Sequence, residues 1–224
     1  MTKFEYKKKL SMKLSLIYFD FPFWRAEVAR LSLFIGNIHF DDVRISNKEF
    51  KKVKTEGKLD NGTIIPFHQL PCLLIDNYSI VQTGAISRYC GKLSNLYPSD
   101  KNIIAARIDQ YIDILTDITV IITSTKQEDR NDIFVNEVLR KLYILDKSID
   151  SKYYYLVENY FSIADIALWS FACWFSNSNI KGISSREIKN FKNIIKICLL
   201  VDQHPKINEW INKNFPKSYK RNLS

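Results

Sequence analysis

The chain has 224 residues, 46% of them hydrophobic and 25% charged, enough to bury one large core or two smaller ones in contact. No apolar run reaches membrane-spanning length and the start "MTKFEYKKKLSM" lacks the apolar centre of a signal peptide, so a soluble, cytoplasmic protein without a membrane partner is expected. Of the formal net charge of +9, residues 1–12 and 217–224 each carry +3, and basic ends on a mildly basic body give little ground for a nucleic-acid partner.

In chain order, "KLSLIYF" (13–19) has the length and composition of a buried strand. "FPFWRAEVARLSLFIG" predicts a helix with Pro22 near its first turn and Gly36 at its end. "IHFDDVRI" predicts a second strand, "SNKEFKKVK" a short helix capped by Ser46, and 55–66 a polar loop with turn signals at Asp60, Asn61 and Gly62. "PCLLI", "DN" and "YSIVQ" predict a hairpin, and a helix follows from Thr83. After the linker-like "KLSNLYPSD" only helices are predicted, over 102–125, 131–150, 162–174, 185–201 and 205–214. The expected organisation is a basic extension (1–12), an α/β domain (13–93), a linker (94–101), an all-helical domain (102–216) and a basic, solvated tail (217–224).

Cys72, Cys90, Cys173 and Cys198 are widely spaced and form no CxxC or His/Cys ligand pattern, so they read as reduced core thiols and no metal is expected. Two helix starts stand out. In "NYSIVQTGAISRY" a Gln82-Thr83 pair joins strand to helix, and Thr83 taken alone reads as an N-cap. In "FSIADIALW", Ser162 and Asp165 form an S-x-x-D capping box, with Phe161 and Ile166 placed as a hydrophobic staple.

The segments "LIYFD" with "RAEVARL", "PFHQLPCLLIDN", "IVQTGAISRY", "NLYP", "RIDQYIDIL", "FSIADIAL" and "HPKINEW" follow one another as in the cytosolic glutathione transferases. From about Lys13 to Pro216 the chain resembles that family, most closely its tyrosine-using group, which includes the sigma and mu classes. The resemblance implies a thioredoxin-like α/β N-terminal domain, an all-α C-terminal domain, a homodimer, and glutathione as co-substrate with a small hydrophobic electrophile. It implies that Gln82 and Thr83 hold the γ-glutamyl carboxylate at a helix N-terminus. It also implies that a cis Leu70–Pro71 bond turns the backbone of Leu70 outward to pair with the cysteinyl residue, and that Gln69 and Lys54 meet the glycyl end. Phe50 stands where many relatives carry tryptophan, and Asp109 where an acid reaches the ligand of the partner subunit; Asp113, one turn on, shares its face.

Tyr18 is the implied activator. A thiol with a pKa of about 8.5 is mostly protonated at neutral pH, and lowering that by two units takes about 2.7 kcal/mol of preference for the anion, which a buried phenol O–H can help to supply. The chain departs from relatives in "FPFW", which replaces an Arg-Gly turn with one extra residue, and in a longer 55–66 loop. Trp24 and two phenylalanines are therefore expected at the mouth of the site, Arg25 as a substitute arginine, and Trp24, Phe21 and residues 118–122 in the acceptor pocket. The competing reading is a non-catalytic scaffold of the same fold. A cysteine-type mechanism through Cys72 is disfavoured because Cys72 lies inside a strand rather than at the start of a helix.

Overall fold

The computed structural model describes residues 12–177, 183–217, 219 and 221–223, so the basic extension, apart from Met12, lies outside the described residues. Apolar β1 (Leu14–Phe19) is followed by α1 (Trp24–Ile35), which crosses over to β2 (Asp41–Ile45), parallel to β1. After α2 (Asn47–Glu56), the hairpin β3 (Cys72–Ile75) and β4 (Tyr78–Val81) turns at Asp76, whose φ is 51°, and runs into α3 (Thr83–Leu93). The sheet order is β2-β1-β3-β4, with β3 antiparallel to both its neighbours. This is the expected thioredoxin-like arrangement: the parallel pair has its helical crossover and the antiparallel pair its tight turn.

Beyond α3 the described elements are helical: α4 (Asn102–Ser124), α5 (Arg130–Ile133), a π-helical turn (Phe134–Val138), α6 (Leu139–Ser148), α7 (Ile163–Asn177), α8 (Lys192–Asp202) and α9 (Pro205–Asn214). Three expectations need correction. The second strand begins at Asp41, because Phe40 leaves the sheet edge to pack on Trp210, with ring centroids 6.1 Å apart. The helix predicted over 185–201 is two, a 3-10 segment (Ser185–Asn190) and α8, separated by Phe191 at φ −93°, ψ 88°. Asp146 of α6 makes the break tolerable by accepting the N–H groups of Asn193 at 2.8 Å and Ile194 at 3.0 Å, capping α8 from 47 residues away. The C-terminal tail does not run free into solvent over its described residues. Arg221 donates to Asp202 at 2.9 Å and Asn208 at 2.8 Å, and Leu223 is buried in the helical core.

Alternation along β1 sets two faces. Leu14 and Leu16 pack with Ala29, Leu33, Ile86 and Cys90 beneath α1 and α3, whereas Ile17 packs with Ile45, Val53, Ile65 and Val81 beneath α2. Tyr18, on the first face, joins the core of the helical part, where α7, buried nearly all round, packs against α1, α4 and α8. Gly36 ends α1 at φ −73°, so its lack of a side chain serves approach rather than backbone freedom: an added Cβ would lie 2.7 Å from Cβ of Ser94.

α1 bridges the two parts of the chain. The Trp24 indole N–H donates to the Thr119 hydroxyl of α4 at 2.9 Å. Glu27 accepts from the fully buried Arg30 at 2.7 Å and from the Trp210 indole of α9 at 3.1 Å. On its other side Arg30 donates to Asp42 of β2 at 2.9 Å and to the carbonyl of Phe19 at 3.4 Å. Burial pushes the Glu27 carboxyl up, against the pull of Arg30. Removing one partner of such a group leaves an uncompensated buried charge, typically at a cost of about 3–5 kcal/mol.

Candidate active site

A cleft of about 600 Å³ opens between the end of α2, the segment before β3, the start of α3 and one face of α4. Phe50, Lys54, Gln69, Leu70, Gln82 and Thr83 all line it, so six residues expected at the site are brought together from three stretches of chain.

The start of α3 gives the cleft its polarity. Gln82 is the N-cap residue, with φ 80° and ψ 124°, a backbone state costly for a residue with a side chain. Thr83 is therefore the first helical residue and not the cap, a correction to the reading of Thr83 alone, and no side chain caps the helix. The first i→i−4 bond runs from Ile86 N–H to Gln82 C=O at 3.0 Å, leaving the N–H groups of Thr83, Gly84 and Ala85 without partners in the helix ladder, and all three residues line the cleft. Unpaired first-turn N–H groups and the helix dipole together favour an anion.

Opposite lies Leu70, the first residue of a cis Leu70–Pro71 bond and beyond the last pair of the β1–β3 ladder, Ile17 with Cys72. The Gln82 side-chain amide donates to the Gln69 oxygen at 2.6 Å across the cleft. Lys54 is placed by an exchange of backbone constraints. Gly57 ends α2 at φ 69°, and a Cβ there would lie 2.5 Å from the His68 ring; the His68 Nδ1–H donates to the Lys54 carbonyl at 3.0 Å. The Lys54 ammonium sits 5.1 Å from the centre of the Phe50 ring, which therefore supplies a π face where an indole would have supplied a donor.

Tyr18 does not line the cleft. It is 4% exposed, and its ring is enclosed by Phe19, Phe21 and Phe23 at centroid distances of 5.1, 6.1 and 6.3 Å. Burial raises its hydroxyl well above the ordinary phenol range while Arg25 and Arg30 pull it back, so the group is an O–H donor at neutral pH. Arg25 does line the cleft, and its Nε is buried without a hydrogen-bond partner.

Asp109 lies beside the cleft rather than in its wall. It accepts from Arg88 Nε at 2.6 Å and from the Tyr97 hydroxyl at 3.0 Å. Arg88 and Asp113 line the cleft instead.

A model of the glutathione S-transferase N-terminal domain matches residues 14–92, and a model of the C-terminal domain of the same family matches residues 112–214, which together take in most of the chain. The chain belongs to the glutathione S-transferase family. By family it is a transferase, 26% identical to glutathione S-transferase A3 of Homo sapiens over 201 residues, 86% of each chain. It is 31% identical to glutathione S-transferase A5 of Homo sapiens over 134 residues, 56% of this chain and 60% of that relative, so this second match spans less than two thirds of the relative's length. Prostaglandin synthase D of Nilaparvata lugens has a similar structure, with a TM-score of 0.74 and 25% identity over 91% of this chain and 98% of that one.

The glutathione S-transferase cleft departs from expectation on its α4 side. Trp24 is not at the mouth, because its indole is buried against Thr119 and Phe171. Ile118 and Ile122 face the helical core and not the cleft. The α4 wall is Asp113, Thr116 and Val120, one stripe at i, i+3 and i+7. On this stripe Asp113 had a signal in the sequence through its one-turn spacing from Asp109, and Val120 lies within the 118–122 stretch expected in the acceptor pocket; Arg88 and Thr116 had none. Among the described residues no group of three or more His, Cys, Asp or Glu could hold a metal ion, and no helix is long and apolar enough to cross a membrane.

Proposed function

We propose that this protein is a cytoplasmic, tyrosine-using enzyme, sigma- or mu-like, that conjugates the glutathione thiolate to small hydrophobic electrophiles. Peroxide reduction or isomerisation are side reactions open to the same thiolate. The observation that carries the reading is the uncapped start of α3, held by a left-handed Gln82 and aimed into a cleft whose other wall is Leu70. A scaffold has no use for that strain. The γ-glutamyl carboxylate would take the N–H groups and hydroxyl at Thr83, the cysteinyl backbone would pair with Leu70, and the glycyl carboxylate would meet Lys54 and Gln69.

The thiol proton is lost to solvent and Arg25 adds positive charge from the cleft wall, while the Tyr18 O–H, buried behind that wall, would have to reach the sulfur once glutathione is bound. The sulfur then forms a bond to the electrophilic carbon, and the displaced electron pair leaves with a leaving group or takes up a proton. A homodimer is proposed, for which exposed Ile64, Phe67 and Tyr78 offer apolar surface around the segment that leads into the cleft.

Tyr18→Phe tests the chemistry, since it removes the donor and keeps the ring. The apparent pKa of the bound thiol should rise toward about 8.5, and conjugation at neutral pH should fall by about 10- to 1000-fold with little change in glutathione affinity. The pH–rate profile with a simple aromatic electrophile and the thiolate absorbance of the binary complex report both. An unchanged profile would transfer the role to Arg25. Wild-type protein that binds glutathione without ionising it would instead support the scaffold reading.

A further inference from the structure

Phe67 and His68, in the segment that leads to Gln69 and Leu70, are both left-handed, with φ 53° and 54°. Neither is a glycine, and such a backbone state persists only where its surroundings hold it. Phe67 adds little to that hold, because its side chain is exposed. His68 supplies it. Its Nδ1–H donates to the Lys54 carbonyl at 3.0 Å, and its ring lies so close over Gly57 that a Cβ there would meet Nε2 at 2.5 Å and Cδ2 at 2.8 Å.

The far end of that tie is an element with little anchorage of its own. α2 carries Phe50 and Lys54 to the cleft, yet of its ten residues Val53 alone is buried. The loop that follows is closed by the Ile65 N–H, which donates to the Gly57 carbonyl at 2.7 Å, three residues beyond Lys54. The His68 bond reaches back to Lys54 itself. One imidazole thus sets the separation between the lysine on α2 and Leu70, two residues further along the chain from His68.

We infer that His68 is a positioning residue that spaces Lys54 from Leu70 and so sets the length of peptide the cleft accepts. The inference rests on the glutathione reading and deepens it. A cysteinyl backbone at Leu70 and a terminal carboxylate at Lys54 belong to neighbouring residues, so the spacing selects γ-glutamyl peptides that continue for one small residue past cysteine. Peptides that end at cysteine fall short of Lys54. His68 acts on this choice through the tie, not by touching the peptide.

The test is titration calorimetry of the full chain with glutathione and with γ-glutamylcysteine, which lacks only the glycyl residue. Wild type should bind glutathione about 10- to 100-fold more tightly, the range of one charge-assisted hydrogen bond. His68→Gly keeps a backbone that tolerates φ 54° and removes the tie, so the ratio should fall by about tenfold, through weaker glutathione binding with γ-glutamylcysteine unchanged. His68→Asn should keep most of the ratio, since Asn also tolerates the left-handed state and its amide nitrogen is as many bonds from the backbone as Nδ1. A ratio unchanged in His68→Gly overturns the inference. So does an equal loss of both peptides there, the mark of a general defect, or an Asn variant that behaves as the Gly one does. Wild type that binds the two peptides equally also overturns it, while leaving the γ-glutamyl end of the reading intact. Wild type that binds neither overturns the glutathione reading itself.

Discussion

Two helix starts in this molecule use similar small polar residues to opposite ends. At α7, Asp165 accepts the Ser162 N–H and hydroxyl, each at 2.9 Å, and the Leu156 N–H at 2.8 Å, while Ser162 Oγ accepts from Ala164 N–H at 3.2 Å. Every one of those atoms is buried. At α3, Thr83 has a comparable hydroxyl but sits one position too late to cap, because Gln82 is left-handed and the N-cap position is its own. Ser46 shows the ordinary case: with φ −81° and ψ 164° it is extended, and it caps α2 with a reciprocal bond from Glu49. A polar residue near a helix start closes the helix only if the backbone before the first turn is extended; a left-handed turn leaves the donors for something else.

The contrast breaks most visibly at α7. Asp165→Ala should cost about 2–4 kcal/mol, since it strands several buried donors, and at about 2–4 °C per kcal/mol a thermal scan should show it clearly. Glutathione affinity of the folded protein should not move.

The same carboxyl also gives a pH signature of nearly that size. Burial pushes Asp165 up to about 6 against the pull of its hydrogen bonds. The folded protein thus holds this proton between about pH 4 and 6, where the unfolded chain has released it. Stability from this group therefore falls as pH rises through that window, by up to about 3 kcal/mol, and is level above it. Urea midpoints from pH 4 to 7 should show the slope in wild type, and Asp165→Asn should flatten it.

Thr83→Ala sharpens the other side. It should weaken glutathione binding by about 1–3 kcal/mol while leaving the melting temperature nearly unchanged, because no capping bond is lost. Parallel losses of affinity and stability would erase the distinction between the two starts. The smallest effect belongs to Ser46→Ala, an exposed cap whose loss should cost about 1 kcal/mol of stability and nothing in binding.

The comparison also marks how far sequence reasoning reaches. The order of strands and helices was legible from period and punctuation, and the α7 box from its S-x-x-D spacing, because both are written in contiguous residues. The Gln82-Thr83 pair was placed at the site by its neighbours, but its capping role was misjudged, since nothing in the letters announces a left-handed glutamine. The break at Phe191 depends on Asp146, 45 residues earlier, and the inward turn of Trp24 depends on Thr119. The α4 wall was read only in part for the same reason, since of the expected 118–122 stretch Val120 lines the cleft while Ile118 and Ile122 are core. Ile118 and Val120 are equally apolar in sequence, and only the packing of α7 decides that the first is core and the second faces the cleft.

The chain from Trp210 through Glu27 and Arg30 to Asp42 has a consequence for how the molecule comes apart. A carboxylate at its centre is shared by a helix near the start of the sequence and one near its end, so the two halves do not have separate interiors along α1. Opening either half alone would expose that charge to a cavity instead of a partner. The amides of α1 should then be among the slowest to exchange with heavy water, at rates shared with α7 rather than with the neighbouring strand edge of β2. Clipping the chain between α3 and α4 should likewise yield two fragments that remain associated, neither of them folded on its own.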